Sequence, residues 1–454
     1  VGRQLFGTDG IRGIAGEYPL DAKTVQALGT ALGEAARKLS PDPEVVIGMD
    51  TRESGPCLAE QVAGGLAARG VRVRFAGVVT TPGIAYLTRT NAFVAGVMIS
   101  ASHNPYRDNG IKVFGHSGYK LPDEREHEIE RRLFELLAEG FEPAALPLTQ
   151  DAALGRNYLD YLASIVKRRF DGVRMVVDCG NGAASALAPA LFERLGARVQ
   201  AIHCAPDGRN INLNCGALHV ESLRQAVIAE NADAGVAFDG DADRAIFVAC
   251  GGKIVDGDAV LLIAARRLAA EGRLGGPEGK PAVVATVMSN LGLERALTAS
   301  GIALLRTPVG DKYVLEEMLR TGAMLGGEQS GHVIFLEHAT TGDGLLTALR
   351  VIEMMLEAGT GLEELTRDLE IYPQILVNVR VARKKPLEEM PEVVREIREA
   401  ELGFGASGRV LVRFSGTEPL ARIMVEGPEQ ARVEAAARRI AAAIERELGT
   451  GQPS

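Results

Sequence analysis

EVVIGMDTRESGPCLAEQVAGGLAARGVRVRFAGVV, Glu44 to Val79, is the stretch that decides the fold. EVVIGMD (Glu44 to Asp50) is an apolar run of strand length. A helix of small residues follows to about Arg69, and VRVRFAGVV (Val71 to Val79) is strand again. Strands that alternate with helices build a parallel sheet with helices on both faces. Toward the N-terminus, Val25, Leu28, Leu32, Ala36 and Leu39 fall at helical spacing, with Asp21 as N-cap. Toward the C-terminus, AFVAGVMIS (Ala92 to Ser100) adds another strand.

The rhythm restarts at VRMVVD (Val173 to Asp178), with a helix over Ala183 to Leu195 and strands ARVQAIH and GVAFD. It restarts once more at PAVVATV (from Pro281), with a helix from Leu291 and the strand IALLR. Three successive mixed or parallel α/β domains of similar build are therefore expected, consistent with an internal repeat. The tail differs. ILVNVRV, an amphipathic helix from Pro386 to Leu402, GRVLVRF, ARIMVEG and a last helix over EQARVEAAARRIAAAIERE make a smaller C-terminal α+β domain. The expected bounds are 1–154, 155–254, 255–370 and 371–454. Linkers are expected near Pro143 to Leu154, Gly251 to Asp258 and Ile371 to Pro373. A chain of 454 residues is long enough for that many cores.

The composition is 46% apolar and 24% charged, that of an ordinary globular protein. The formal net charge of -9 argues against nonspecific nucleic-acid binding and against an anionic membrane surface, since both need a basic face. No apolar run approaches a membrane span, and VGRQLFGTDG lacks a signal-peptide pattern. The five cysteines, Cys57, Cys179, Cys204, Cys215 and Cys250, are odd in number and scattered, which points to a reduced, cytoplasmic setting.

The chemistry concentrates in GVMISASHNPYRDNGIKV, Gly96 to Val113. An apolar strand runs into a loop read as holding Ser100, Ser102, His103, Asn104 and Lys112. A hydroxyl nucleophile beside an imidazole, amide donors and a cation suits covalent chemistry on phosphate, with Ser102 as the group modified. DGDADR, Asp239 to Arg244, follows the strand GVAF. Asp239, Asp241 and Asp243 repel one another unless a cation sits among them, and their hard oxygens suit Mg²⁺. An EF-hand fails, because Arg244 and Cys250 stand where Gly and Glu are required. An isolated DxDxD is otherwise a solvated acidic turn.

GGEQSGH, Gly326 to His332, presents Glu328, Ser330 and His332 on a Gly-rich turn that suits a polyol, though many such turns are only turns. RFSGTEPLAR, Arg413 to Arg422, joins a guanidinium fork to Ser415, Gly416 and Thr417 in what resembles a phosphate nest. A hairpin with Arg413 paired to Glu418 is its plainer reading. In LFGTDGIRG, Arg12 either contacts phosphate or closes a turn by pairing with Asp9. There is no P-loop, since Gly279-Lys280 is followed by Pro281. CGNGAAS lacks the third glycine of a dinucleotide site. Neither GxSxG nor HExxH occurs, and a catalytic zinc is not expected. His116, His127, His203, His219 and His338 show no partner in the sequence.

The ordered set LFGTDGIRG, ISASHNPYRDNGIK, DGDADR, GGEQSGH and RFSGTEP resembles the α-D-phosphohexomutase superfamily over essentially the whole chain. The resemblance implies four domains around a central cleft, one motif from each. It implies a phosphoserine at Ser102 and one Mg²⁺ per chain held by Asp239, Asp241, Asp243 and the Ser102 phosphate. Glu328 and Ser330 would bind sugar hydroxyls. Arg413, Ser415, Gly416, Thr417 and Arg422 would grip the phosphate that is not reacting. Arg12, His103, Lys112, Arg244 and His332 would surround the transferring group, with His332 or Lys112 as general base. Phe414 stands where Lys is commoner, and Lys312 where Arg is more usual.

Gln329 and the SGTEP form of the last motif resemble the members that act on an amino sugar. The implied isomerase reaction converts glucosamine 6-phosphate to glucosamine 1-phosphate and back. It runs through a 1,6-bisphosphate and serves UDP-N-acetylglucosamine and cell-wall precursor synthesis. The expected partners are that hexosamine phosphate and the bisphosphate, with no nucleic acid and no membrane; a homodimer is compatible with the sequence. The alternatives are a mutase for glucose or mannose phosphates, a metal-dependent sugar phosphatase with an Asp nucleophile, and a noncatalytic sugar-phosphate sensor.

Overall fold

The structure is a computed structural model that describes residues 5–7, 9–140, 144–415 and 419–449. The chain divides into two compact units. One comprises Val1–Met288 with Gly301–Arg367, and the other Ser289–Ser300 with Asp368–Ser454.

The larger unit contains three sheets. The first holds β1 (Ile11–Ile14), β2 (Glu44–Met49), β3 (Arg72–Val78), β4 (Ala95–Ile99) and β5 (Asp108–Gly115), in the order β1-β5-β4-β2-β3. The second holds β6 (Arg174–Asp178), β7 (Arg198–Ile202), β8 (Ala234–Phe238), β9 (Ala245–Ala249) and β10 (Ile254–Val255), in the order β10-β9-β8-β6-β7. The third holds β11 (Ala282–Thr286), β12 (Ala303–Thr307), β13 (Leu325–Gly327) and β14 (Val333–Phe335), in the order β12-β11-β13-β14.

The expected repeat is visible in this topology. Leaving β1 aside, in each sheet the first strand (β2, β6 or β11) pairs in parallel with the second and the third, and the third turns back into an antiparallel fourth. The first strands are buried on both faces, as Val45, Val46, Ile47, Val176, Val177, Val283 and Val284 show, which is why they read as apolar runs without alternation. β1 and β10 each extend a sheet by pairing antiparallel with its fourth strand.

The helix Ala22–Leu39 begins where expected, because Asp21 accepts from the backbone N–H groups of Lys23 and Thr24 at 3.1 Å. It packs on the helix Gly55–Ala67 at small residues. A Cβ on Gly29 would stand 2.3 Å from the Val62 carbonyl oxygen, so only glycine permits that approach.

Several expectations shift. The helix read over Ala183 to Leu195 is a 3₁₀ turn, Ala183–Ala186, followed by a helix Ala188–Arg194. Pro189 lacks an N–H and restricts the residue before it, so the two cannot fuse. Lys112 lies within β5, opposite Met98, and not in the loop. The stretch Gly251 to Asp258 is only partly linker, since it contains β10 and the N-cap Asp256 of the helix Gly257–Ala270.

The smaller unit contains β15 (Gln374–Arg380), β16 (Arg409–Phe414) and β17 (Leu420–Glu426), antiparallel in the order β15-β17-β16. The helices Pro391–Phe404 and Gln430–Leu448 cover it through Val393, Phe404, Ile440 and Ile444. The first of these helices starts at Pro391 and not at Pro386. A proline fits the first turn, where its missing N–H is not needed, and a 3₁₀ turn, Leu387–Glu389, precedes it. Among the described residues no helix is long and apolar enough to cross a membrane.

Candidate active site

Each of the three sheets turns from its third strand into its fourth at one of the singled-out motifs. Ser102 lies between β4 and β5, DGDADR between β8 and β9, and Glu328 to His332 between β13 and β14. The repeat therefore delivers three chemically different loops from one topological position. In open α/β sheets, ligands bind where the strand order reverses at the carboxyl ends of the strands.

A cleft of about 440 Å³ collects the result. Arg12, Ser102, His103, Asp243, Arg244, Glu328 and His332 line it, together with Asp9 and Asp311. Ser330 is set back from the lining, with its hydroxyl 3.4 Å from Glu328 Oε2. Glu328 Oε1 accepts from the Gly310 N–H at 3.1 Å.

Ser102 is buried, with a positive φ of 53°. Its Oγ donates to Asp239 Oδ2 at 2.6 Å and lies 3.3 Å from His103 Nδ1. Its N–H donates to Ser100 Oγ at 2.9 Å, and Ser100 Oγ donates to Asp50 Oδ2 at 2.5 Å. Its carbonyl accepts from Arg52 at 3.1 Å and from Asn212 Nδ2 at 3.0 Å. The same two side chains donate to the Asn104 carbonyl at 2.6 and 3.2 Å. Arg52, itself buried and paired with buried Asp50, thus fixes both flanks of His103.

The three aspartates are buried and bring one oxygen each within 4.8 Å of the others. Burial, together with Asp243 and Asp241, pushes the Asp239 carboxyl well up. Burial opposes the charge on Asp243 too, but His332, Lys112 and Arg244 outweigh it and hold that carboxyl low. Asp241 Oδ1 and Asp243 Oδ1 are buried without a hydrogen-bond partner. Leaving a buried carboxylate oxygen unpaired is costly. These orphaned oxygens, with the charge repulsion, fit a hard divalent cation such as Mg²⁺.

Cations flank the triad. Lys112 is buried, with Nζ 2.9 Å from Asp241, 3.0 Å from Asp9 and 3.8 Å from Asp243. Burial opposes its charge, yet these carboxylates prevail and raise its pKa, so it is a fixed cation. Arg12, on β1, bonds Asp9 at 2.6 Å and Asn104 Oδ1 at 3.2 Å, so it both closes the turn and lines the cleft. The Arg244 N–H donates to Asp239 Oδ1 at 3.2 Å.

The two histidines differ. His103 is half-buried, and burial with the nearby Arg244 and Arg12 charges lowers its pKa to about 4. His332 is buried, which disfavours charge, but Asp243 beside Nδ1 at 3.6 Å pushes its pKa up to about 9. Against that, the Gly342 N–H donates into His332 Nε2 at 3.0 Å, which favours the neutral ring and occupies its lone pair.

In the smaller unit, Arg413 and Arg422 face each other across β16 and β17. Burial and the Arg422 charge lower the Arg413 pKa. Like charges directly opposite on adjacent strands destabilise a sheet unless an anion joins them. The Ser415 N–H donates to the Leu420 carbonyl at 2.8 Å. Gly416, Thr417 and Glu418, and with them the expected Arg413–Glu418 pairing, lie outside the described residues.

Sequence reasoning missed several members. Lys120 bridges Asp9, already read as the partner of Arg12, at 2.5 Å and Asp311 at 2.6 Å, and no local pattern marks Lys120 or Asp311. Asp50 and Arg52 follow the end of β2, the switch point of the first sheet, and that position was the available signal.

Four family models match the chain. All are described as phosphoglucomutase/phosphomannomutase: alpha/beta/alpha domain I over residues 3–139, domain II over 156–252, domain III over 256–372 and the C-terminal domain over 376–443. The chain is 64% identical to a protein of Solibacter usitatus named phosphoglucosamine mutase, over 99% of this chain and 100% of that one. A Koribacter versatilis protein of the same name is 52% identical over 98% of each. Among solved structures, a phosphoglucomutase/phosphomannomutase family protein of Burkholderia thailandensis is similar with a TM-score of 0.79, at 24% identity over 98% of each chain. The N-acetylphosphoglucosamine mutase of Aspergillus fumigatus, in complex with GlcNAc-6P and magnesium, has a TM-score of 0.64 at 19% identity, over 98% of this chain and 96% of that one.

Proposed function

Because the chain belongs to the phosphoglucomutase/phosphomannomutase family, we propose that it interconverts glucosamine 6-phosphate and glucosamine 1-phosphate, the activity that relatives 64% and 52% identical to it carry in their name. The observation that carries the proposal is Ser102 Oγ donating at 2.6 Å to one of three buried aspartates, two of which keep an unpartnered oxygen. A hydroxyl beside a metal-ready triad suits a covalent phosphate carrier better than a sensor, which needs no nucleophile.

Ser102 carries the phosphoryl group. Its P–Oγ bond breaks as a bond forms to the sugar O1, giving the 1,6-bisphosphate. That intermediate turns end for end, and its 6-phosphoryl group returns to Ser102, freeing the 6-hydroxyl. Bound among Asp239, Asp241 and Asp243, Mg²⁺ would offset charge on the transferring oxygens. Lys112, Arg12 and Arg244 add fixed positive charge at the same place.

A base must take the sugar hydroxyl proton and later return it. Lys112 is held charged, and the His332 lone pair is occupied by Gly342. We assign the proton to His103, which is neutral at physiological pH and stands beside Ser102. Glu328, with Ser330, orients the sugar hydroxyls. Arg413, Ser415 and Arg422, with Gly416 and Thr417, hold the phosphate that is not reacting. We place the enzyme in the cytoplasm, supplying amino-sugar precursors.

Turnover on glucosamine, glucose and mannose phosphates tests the substrate, and the first should dominate. Ser102→Ala should lose at least about a thousandfold in kcat, with its circular dichroism unchanged. A variant that keeps full activity, or a wild type that releases free phosphate, would overturn the covalent scheme in favour of a phosphatase.

A further inference from the structure

A second cluster lies in the second sheet, away from the residues that line the cleft. Asp178 ends β6, His203 follows β7, and Cys215 precedes a 3₁₀ turn, Gly216–Leu218. One carboxylate oxygen, one imidazole nitrogen and the thiol sulfur of these residues lie within 4.8 Å of one another. Asp178 is the topological counterpart of Asp50. Asp50 directly follows β2 and Asp178 ends β6, the corresponding strands of their sheets, and each accepts at 2.9 Å from the N–H two residues on, Arg52 for Asp50 and Gly180 for Asp178. The cluster therefore occupies, in the second repeat, the strand-end position where α/β sheets take ligands.

Both Asp178 oxygens accept from backbone N–H groups and the Cys215 sulfur accepts from Asn181, which leaves one polar atom of the cluster over. His203 Nδ1 lies 3.1 Å from Asp178 Oδ2, yet it is buried and makes no hydrogen bond. His203 is also held at a left-handed φ of 46°, which a non-glycine residue adopts only when its surroundings impose it. An unpartnered imidazole nitrogen within reach of a carboxylate oxygen and a thiol sulfur is a donor set that a cation completes.

We propose that Asp178, His203 and Cys215 form a structural site for a borderline-soft divalent metal of the zinc type, distinct from the Mg²⁺ triad. Carboxylate, imidazole and thiolate together match the donor preferences of Zn²⁺ or Co²⁺, whereas Mg²⁺ prefers oxygen alone. Three protein ligands leave a fourth position for water. Metal entry displaces the Cys215 thiol proton to solvent, and His203 is partly exposed.

The consequence is mechanical. Asp178 Oδ2 accepts from the Gly216 N–H at 3.0 Å, and the Gly180 carbonyl accepts from the Asn212 N–H at 2.8 Å. Asn212 in turn donates to the Ser102 carbonyl. A metal here ties down the loop that steadies the serine.

The test adds Co²⁺ to the reduced, metal-free full chain, with Mg²⁺ in excess to fill the aspartate triad. A thiolate-to-cobalt charge-transfer band should appear and saturate at one equivalent, and Zn²⁺ should bleach it; carboxylates cannot produce such a band. Cys215→Ser should abolish it, and Cys204→Ser should leave it intact. His203→Asn, which tolerates the left-handed backbone and leaves the buried thiol in place, should weaken cobalt binding about tenfold or more. No band in the wild type, or a band that survives Cys215→Ser and vanishes in Cys204→Ser, overturns the proposal.

Discussion

Ser102 sits at the end of a chain of hydrogen bonds that leaves its hydroxyl one strong acceptor, Asp239. The difference between His103 and His332 then decides how protons move. A base is useful above its pKa and lost as pH falls through it. His103, lowered to about 4, is deprotonated across the physiological range. With His103 as base, kcat should be flat from about pH 6 to 8 in a pH–rate profile. A limb that rises toward 9, where His332 titrates, would transfer the role to His332. His103→Gln should therefore lower kcat more than His332→Gln does. Ser102 and the aspartate triad were legible as polar residues placed directly after apolar strands. Lys120 and Asp311 were not, because each is an isolated charge whose partners come from far along the chain.

At the scale of elements, the hairpin turns carry the chemistry and the first-strand ends brace them. Arg52 is the brace of the first sheet, joining Asp50 to the carbonyls of Ser102 and Asn104. Arg52→Ala strands the Asp50 carboxylate in the core, and breaking a buried pair from one side costs about 3–5 kcal/mol. Chemical denaturation should show that loss. Arg52→Lys keeps a charge but cannot reach two carbonyls in one plane. Its kcat should fall about tenfold or more, with KM nearly unchanged. Equal changes in kcat and KM would contradict a positioning role. The long apolar strands were legible from their runs. The three-residue strands β13 and β14 were not, since so short a segment shows no periodicity. Lys112 looked like a loop residue because IKV was read with the polar run before it, whereas it belongs to β5.

Across the larger unit, one sheet topology is used three times, with a different motif at the same turn of each. That repeat was legible as a rhythm of strands and helices but not as sequence identity, because only the fold and the turn position recur. The convergence of the three turns makes stability and cation binding one property. Filling the triad relieves the repulsion that raises Asp239 and pairs the orphaned oxygens of Asp241 and Asp243. Mg²⁺ should therefore raise the melting temperature, by the equivalent of about 2.7 kcal/mol at a hundred times its Kd. Chelation should abolish turnover, and Asp241→Asn should remove most of the thermal shift. A shift that persists in that variant would place the cation elsewhere. The central claim is that Ser102 is a reversible phosphate carrier. The most direct test incubates the chain with glucosamine 1,6-bisphosphate and maps phosphate by peptide mass spectrometry before and after adding glucosamine 6-phosphate. One phosphate per chain on the peptide with Ser102, discharged by the sugar phosphate without release of inorganic phosphate, is the predicted result. Phosphate on another residue, or its loss to water alone, would contradict it.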